Sequence, residues 1–216
     1  DTHMIKNIEW GSIAYLSHSR YGTCDDGICV EVGRNNNTNN ITGCGSEPGS
    51  VSSATCNVYN TTLGKRASTT GNIYGIYDMS GGTSEYTMGN IVAPDGVTMM
   101  SGNRATSNSG YSGVVYDEGA YNSYIGDYSY PEDKYYDKYS FGTSLGKSRG
   151  KLGDATKETY IGSTSWYNGN SGFSHYIYPW IGRGGSNNYT NSGLFFLTNG
   201  TGHSSSSLSS HLIIVP

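Results

Sequence analysis

The side chains able to do chemistry in this chain are few and widely spaced. Its four cysteines stand at positions 24, 29, 44 and 56. Neither Cys24-x4-Cys29 nor Cys44-x11-Cys56 has the paired CxxC spacing of a zinc site, and after His18 no histidine lies near them. An even cysteine count in a polar stretch suits an oxidising compartment. The pairings Cys24–Cys29 and Cys44–Cys56 are preferred, because each closes a short Gly/Asn-rich loop; free buried thiols are the alternative. His175, His203 and His211 lie in the C-terminal region, but none has a nucleophile or carboxylate at a spacing that marks catalysis. Asp78, in a glycine-rich turn, reads as a cap of backbone amides in preference to a metal ligand. Arg183, just before Gly184-Gly185, is expected to make a structural ion pair with a carboxylate. No metal and no cofactor is expected.

The composition explains why so little chemistry is visible. Of 216 residues, 102 are Gly, Ser, Asn or Tyr, there is no Gln, and only 14% are charged, with a net charge of −4. Lys and Arg are scattered, the longest basic run being Lys65-Arg66, so a nucleic-acid footprint is disfavoured. No apolar run approaches the roughly 20 residues of a membrane span, and no signal peptide opens the chain. The length fits one domain over 1–216, and the opening Asp1-Thr2-His3-Met4 suggests the C-terminal part of a longer protein. Aromatic content of 12% argues against disorder. Tyr with Ser, Gly and Asn is the palette of antibody binding loops, which combine rigid contact area with adaptable hydrogen bonding. An extracellular, loop-rich domain, monomeric in isolation, is expected.

The elements that would position a site are short. Ile13, Leu16 and their neighbours at spacings of three and four predict a helix from about Trp10 to Ser19, stopped at Tyr21-Gly22. Residues 22–71 read as long loops with one short strand at Ile28–Val32. Strands are expected at 84–88, Tyr176–Trp180, Leu194–Thr198 and Leu212–Val215, with an irregular insertion over 101–159 that holds one short helix.

Four stretches resemble a known family. Met4-Ile5-Lys6-Asn7-Ile8-Glu9-Trp10-Gly11-Ser12-Ile13-Ala14-Tyr15 is similar to the first helix of the formylglycine-generating enzyme (sulfatase-modifying factor) domain. Tyr74-Gly75-Ile76-Tyr77-Asp78-Met79-Ser80-Gly81-Gly82-Thr83-Ser84-Glu85-Tyr86 resembles that family's "GLYDM.GNVWEW", and Arg183-Gly184-Gly185-Ser186 its "RGGSW". The ending Ser210-His211-Leu212-Ile213-Ile214-Val215 stands where the family has "GFRLV". The resemblance implies an α+β, C-type-lectin-like fold of the formylglycine-generating-enzyme subclass: a small antiparallel sheet, one or two helices and long irregular loops. It does not carry the oxidase activity over. The family's enzymes use a cysteine pair in the C-terminal third, and no cysteine follows Cys56; copper(I) wants soft thiolate ligands, which Ser, Asn and Thr cannot replace. His211 falls where the family has Phe, which implies packing or surface. Glu47-Pro48-Gly49 lacks the Asn of the calcium-dependent lectins' Glu-Pro-Asn and lies in the wrong third.

The segment Ser186–Pro216 has a further peculiarity. Its 31 residues include no Lys, Glu, Gln, Met or Trp, types that total 22 of 216 overall, so about three were expected. Adenine-randomised AAC/AAT-type codons cannot encode those five. The pattern resembles the variable proteins of diversity-generating retroelements, in which a lectin-like scaffold stays constant while one face changes. That implies a variable region at about 174–212. The site residues expected on its surface are Tyr176, Tyr178, Ile181, Asn188, Tyr189, Asn191, Phe196, Thr198, Asn199, His203 and Leu208. Trp180, Gly184, Gly185, Phe195 and Leu197 should be buried beneath them. Strand alternation places Phe196 and Thr198 outward if Phe195 and Leu197 face in. The expectation is non-enzymatic recognition of a macromolecule or glycan at a bacterial surface, a pilus or a phage fibre. A divergent enzyme and a structural adhesin or pilin domain are the alternatives.

Overall fold

The computed structural model describes residues 2–36, 39–40, 57–92, 115–116, 124–125, 132–139, 153–156, 172–174, 178–186, 192–200, 202 and 205–214. The fold is α+β. Strand β1 (Thr2–Met4) leads into helix α1 (Asn7–Ser17). The helix begins three residues before the expected Trp10, because its first turn is capped from two directions. The Glu9 carboxylate accepts the Lys6 backbone N–H at 2.8 Å, a local capping contact. The Ile8 N–H is accepted at 2.8 Å by Asp137, a residue 129 positions away. The buried stripe also differs from the expected Ile13/Leu16 face. It runs through Asn7, Trp10, Gly11, Ala14 and Ser17, while Leu16 is 58% exposed. Trp10 sets this orientation as the largest side chain, and the small residues beside it let other chain segments approach closely.

Short hairpins follow the helix. β2 (Cys24–Asp25) pairs with β3 (Ile28–Cys29), and β4 (Asn35–Asn36) with β5 (Asn39–Asn40). The strand expected over 28–32 is thus only two residues long. The Cys24–Cys29 disulfide forms across the first hairpin; Cys44 and Cys56 lie outside the described residues. β6 (Ser84–Ile91) is the longest strand of the first half. β7 (Val115–Tyr116) and β8 (Tyr124–Ile125) form a separate ribbon, followed by β9 (Asp137–Tyr139). Apart from Asp133–Tyr135, a single 3-10 turn, the helix expected within 101–159 falls outside the described residues.

β10 (Trp180–Gly184), β11 (Gly193–Gly200) and β12 (Leu208–Ser209) complete a five-stranded sheet, ordered β11-β10-β6-β12, with β9 also on β6. The expected all-antiparallel sheet is instead mixed, because β9 and β12 both run parallel to β6. The strand expected at Leu212–Val215, observed as β13 (Leu212–Ile214), is not in it. It pairs with β1, with Met4 opposite Leu212 and Thr2 opposite Ile214. The reason is occupancy: β12 holds one end of the β6 edge and β9 the other, so the chain beyond His211 finds its backbone partners on β1.

One core cluster forms between α1 and the sheet: Ile5, Trp10, Ala14, Val32, Met79, Ala155, Leu194 and Phe195. The Trp10 indole N–H donates to the Leu194 carbonyl at 2.8 Å, so the largest core side chain also meets its polar requirement. Beside it lies a buried polar network. The buried Arg183 guanidinium donates from Nε to the Asn7 side-chain oxygen at 2.7 Å and from Nη2 to the Asp154 carbonyl at 2.6 Å. Nη1 reaches the Ala155 and Phe196 carbonyls at 3.3 and 3.5 Å. Asn7 donates in turn to the Tyr139 hydroxyl at 2.7 Å, which donates to Asp154 Oδ2 at 3.0 Å. Burial, then the charges of Asp154 and Asp137, push the Tyr139 phenol well above its usual value, so it stays a neutral donor. One side chain thus joins the helix, residues 154–155 and β11.

Candidate binding face

Residues paired directly across strands share a face, and this sorts the sheet into two sides. The inner side carries Glu85, Thr87, Ile181, Arg183 and Leu197, in a register that sets Arg183 opposite both Glu85 and Leu197. The outer side carries Tyr86 and Gly182, which are partners, Thr198 opposite Gly182, and Gly200 opposite Trp180. Leu208 extends this side across β12 through its partner Ser84.

Of the expected surface residues, Tyr178 (42% exposed) and the half-buried Thr198 and Leu208 are accessible. Tyr176, Asn188, Tyr189, Asn191 and His203 lie outside the described residues. Three expectations are corrected. Phe196 is only 1% exposed. It does face away from Phe195, but β11 is covered on both sides at that point, so alternation does not lead to solvent. Ile181, 0% exposed, points inward and packs over Gly89, where a Cβ would come within 3.2 Å of its methyl. Asn199 is half-buried on the inner side, because its pairing with Ile181 fixes its direction. Its amide donates to the Phe173 carbonyl at 3.0 Å and so ties residues 172–174 to the sheet. The expected supports Trp180, Gly184, Gly185, Phe195 and Leu197 are all buried.

Tyr86, Gly200 and Gly202, which shape the outer face, were not among the expected site residues. Tyr86 and Met88 pack against Trp180 and Tyr136, whose rings meet edge to face with centroids 6.1 Å apart. The Gly202 N–H donates to the Tyr86 hydroxyl at 3.2 Å. Gly202 has φ +83° and no room for a side chain, since a Cβ would collide with the Trp180 indole. Glycine is needed here for both reasons. The signal available in the sequence was the Gly-x-Gly spacing itself. Burial pushes the Tyr86 phenol upward, against the pull of the Gly202 amide.

On the inner side, the expectation for His211 also changes. It is half-buried and ion-paired with Glu85, whose side chain is only 3% exposed. Nδ1 faces the Glu85 carboxylate and Nε2 faces the Tyr77 carbonyl at 3.2 Å. With acceptors at both nitrogens, only the imidazolium satisfies both contacts. The Glu85 hydrogen bond holds His211 above the ordinary histidine value, helped by the Tyr77 carbonyl and the charge of Asp78. Burial pushes Glu85 up against the pull of His211. A group bound more tightly to its proton in the folded state stabilises below its unfolded pKa and loses that contribution as pH rises through the folded value. His18 acts in the same sense: burial lowers it, but Glu31 and the Ala14 carbonyl raise it more. The melting temperature should therefore fall by several degrees between about pH 6 and pH 9, and His211→Gln should flatten most of that slope. Calorimetry across this range checks it; an unchanged slope in the variant would remove His211 from the account.

Among the described residues there is no cluster of His, Cys, Asp and Glu able to hold a metal ion, and no helix long and apolar enough to cross a membrane. No protein-family model matches the chain, and neither a curated protein nor a solved structure is similar to it.

Proposed function

We propose that this protein is a non-enzymatic recognition domain with a C-type-lectin-like scaffold of the formylglycine-generating-enzyme subclass, whose C-terminal surface is diversified by a retroelement. One observation carries the reading. The segment depleted in Lys, Glu, Gln, Met and Trp supplies both β11 and β12, which lie on opposite sides of the β10–β6 pair. It therefore contributes outward residues, Thr198 and Leu208, from both flanks of one sheet face. The frame around them, Trp180, Arg183, Leu194, Phe195, Phe196 and Leu197, is buried. Such a face binds through contact area and hydrogen bonding, with Tyr178 as an aromatic anchor. The Cys24–Cys29 disulfide is in keeping with display in an oxidising, extracellular compartment.

The flanking DNA tests the diversification directly. It should hold a reverse-transcriptase gene and a near-copy of the stretch coding for residues 174–212, differing at adenines. Differences should fall at the codons of Tyr178, Asn188, Tyr189, Asn191, Thr198, His203 and Leu208, and spare those of Arg183, Leu194, Phe195 and Leu197. A locus with no such copy, or differences spread evenly over buried and exposed codons, would overturn the proposal.

A further inference from the structure

The last turns of α1 and the loop 68–76 enclose a groove of about 260 Å³. Its walls include Ile13, Leu16, Tyr21, Tyr74 and Ile76, and none of the described residues lining it is charged or belongs to the sheet. Leu16 and Ile76 are exposed, and the two tyrosines stand out at 69% and 87% exposure, a cluster of the kind that marks a binding surface. The loop is held in shape by its own hydrogen bonds. The Thr69 N–H donates to the Ile76 carbonyl and the Ile76 N–H to the Thr69 hydroxyl, both at 3.0 Å, which closes its two ends. The Asn72 side-chain oxygen accepts the Tyr74 N–H at 2.8 Å and so fixes the bend that presents Tyr74. The other hydroxyls in the lining are engaged as well: Thr70 donates to the Asn72 side-chain oxygen at 3.0 Å, and Ser17 to the Ala14 carbonyl at 2.7 Å. The groove is therefore preformed, and its walls call for an apolar occupant.

A cation sits against one wall. The Arg20 guanidinium lies over the Tyr21 ring, 4.8 Å from its centroid, and donates to the Tyr21 hydroxyl at 2.8 Å. It is exposed and makes no ion pair with a described carboxylate. From this juxtaposition we infer that the groove is a second binding site, which takes a medium-chain alkyl carboxylate: the chain lies against Ile13, Leu16 and Ile76, and the head group meets Arg20. Charge selects the head. A guanidinium pairs with a carboxylate through two parallel hydrogen bonds. A cationic head would be repelled, since Arg20 already covers a face of Tyr21, and a neutral head would gain little from it. Size selects the body. The volume falls below the roughly 300–1,000 Å³ of drug-sized sites, so a short flexible chain fits better than a bulky ring system. The site shares no described residue with the sheet face, and the inference does not rest on that face being a recognition surface.

Isothermal titration of the purified protein with hexanoate, octanoate and decanoate, each below its micelle concentration, tests this. The Kd should fall by about three- to fourfold for each methylene added. At about 0.05 M NaCl, octyltrimethylammonium should bind about threefold or more weakly than octanoate, a gap that about 1 M NaCl closes. Arg20→Glu should reverse the order of the two head groups, and Leu16→Asn should weaken octanoate by about fivefold or more. Both side chains are exposed in the free protein, and thermal melts identify any loss caused by misfolding. Tyr74→Ala, at a still more exposed position, replaces Leu16→Asn if that variant is unstable. No binding, an affinity indifferent to chain length, equal affinity for both head groups at low salt, or octanoate binding unaltered in the folded groove variant would overturn the inference. None of these results bears on the sheet face, which the flanking DNA tests separately.

Discussion

Replacing Arg183 with Met should destabilise the protein by about 3–5 kcal/mol, a large share of the 5–15 kcal/mol that typically holds a domain together. The aliphatic stem would still fill most of the space, so the loss isolates the guanidinium. Its removal strands the Asn7 side-chain oxygen and the carbonyls of Asp154 and Ala155 without their donor inside the protein. Each stranded buried acceptor costs about 1–3 kcal/mol, less than additively when neighbours relax together. Arg183→Lys should recover little, because a single ammonium cannot reach acceptors spread across the helix, residues 154–155 and β11. Urea unfolding followed by tryptophan fluorescence reads the effect. A midpoint shift equivalent to less than about 1 kcal/mol would mean that these contacts contribute little to folding.

Phe196→Ala should cost about as much as Phe195→Ala, in the range of roughly 3–5 kcal/mol for truncating a buried aromatic. Thr198→Ala, on the same side of the same strand but half-buried, should cost less than about 1 kcal/mol. The contrast has a functional consequence. If the segment is diversified as proposed, free replacement of Phe196 would unfold the scaffold, so variation should pass over this codon although its neighbour at 198 is half-buried. Equal stability of Phe196→Ala and Thr198→Ala would return Phe196 to the surface.

The case of Phe196 shows how far the sequence could be read. Alternation correctly told that Phe195 and Phe196 point to opposite sides, because backbone geometry alone dictates it. It could not tell that both sides are covered there. Likewise, the residue types of Trp10–Ser19 announced a helix, but its first turn depends on Asp137 from a distant strand. Its buried stripe was settled by Trp10 and by what packs on it. Tyr86, quoted in a motif but not expected at the site, shapes the outer face because Gly200 and Gly202 lie against its hydroxyl.

Local quantities were therefore legible from the chain: an α+β mixture, strands at 84–88 and 194–198 within the longer β6 and β11, the Cys24–Cys29 loop, and a C-terminal segment depleted in Lys, Glu, Gln, Met and Trp. These depend on spacing and composition, which short stretches carry by themselves. Only the tertiary structure decided that β13 joins β1 and not the sheet, that Arg183 reaches the Asn7 amide and the carbonyls of residues 154–155, and that His211 meets Glu85. It alone also decided that Ile181 and Phe196, expected at the surface, are core. Each of those outcomes depends on which distant segment reaches a given edge or face first. Competition between long-range contacts for the same backbone groups and the same apolar surface is not encoded in the periodicity of any one element.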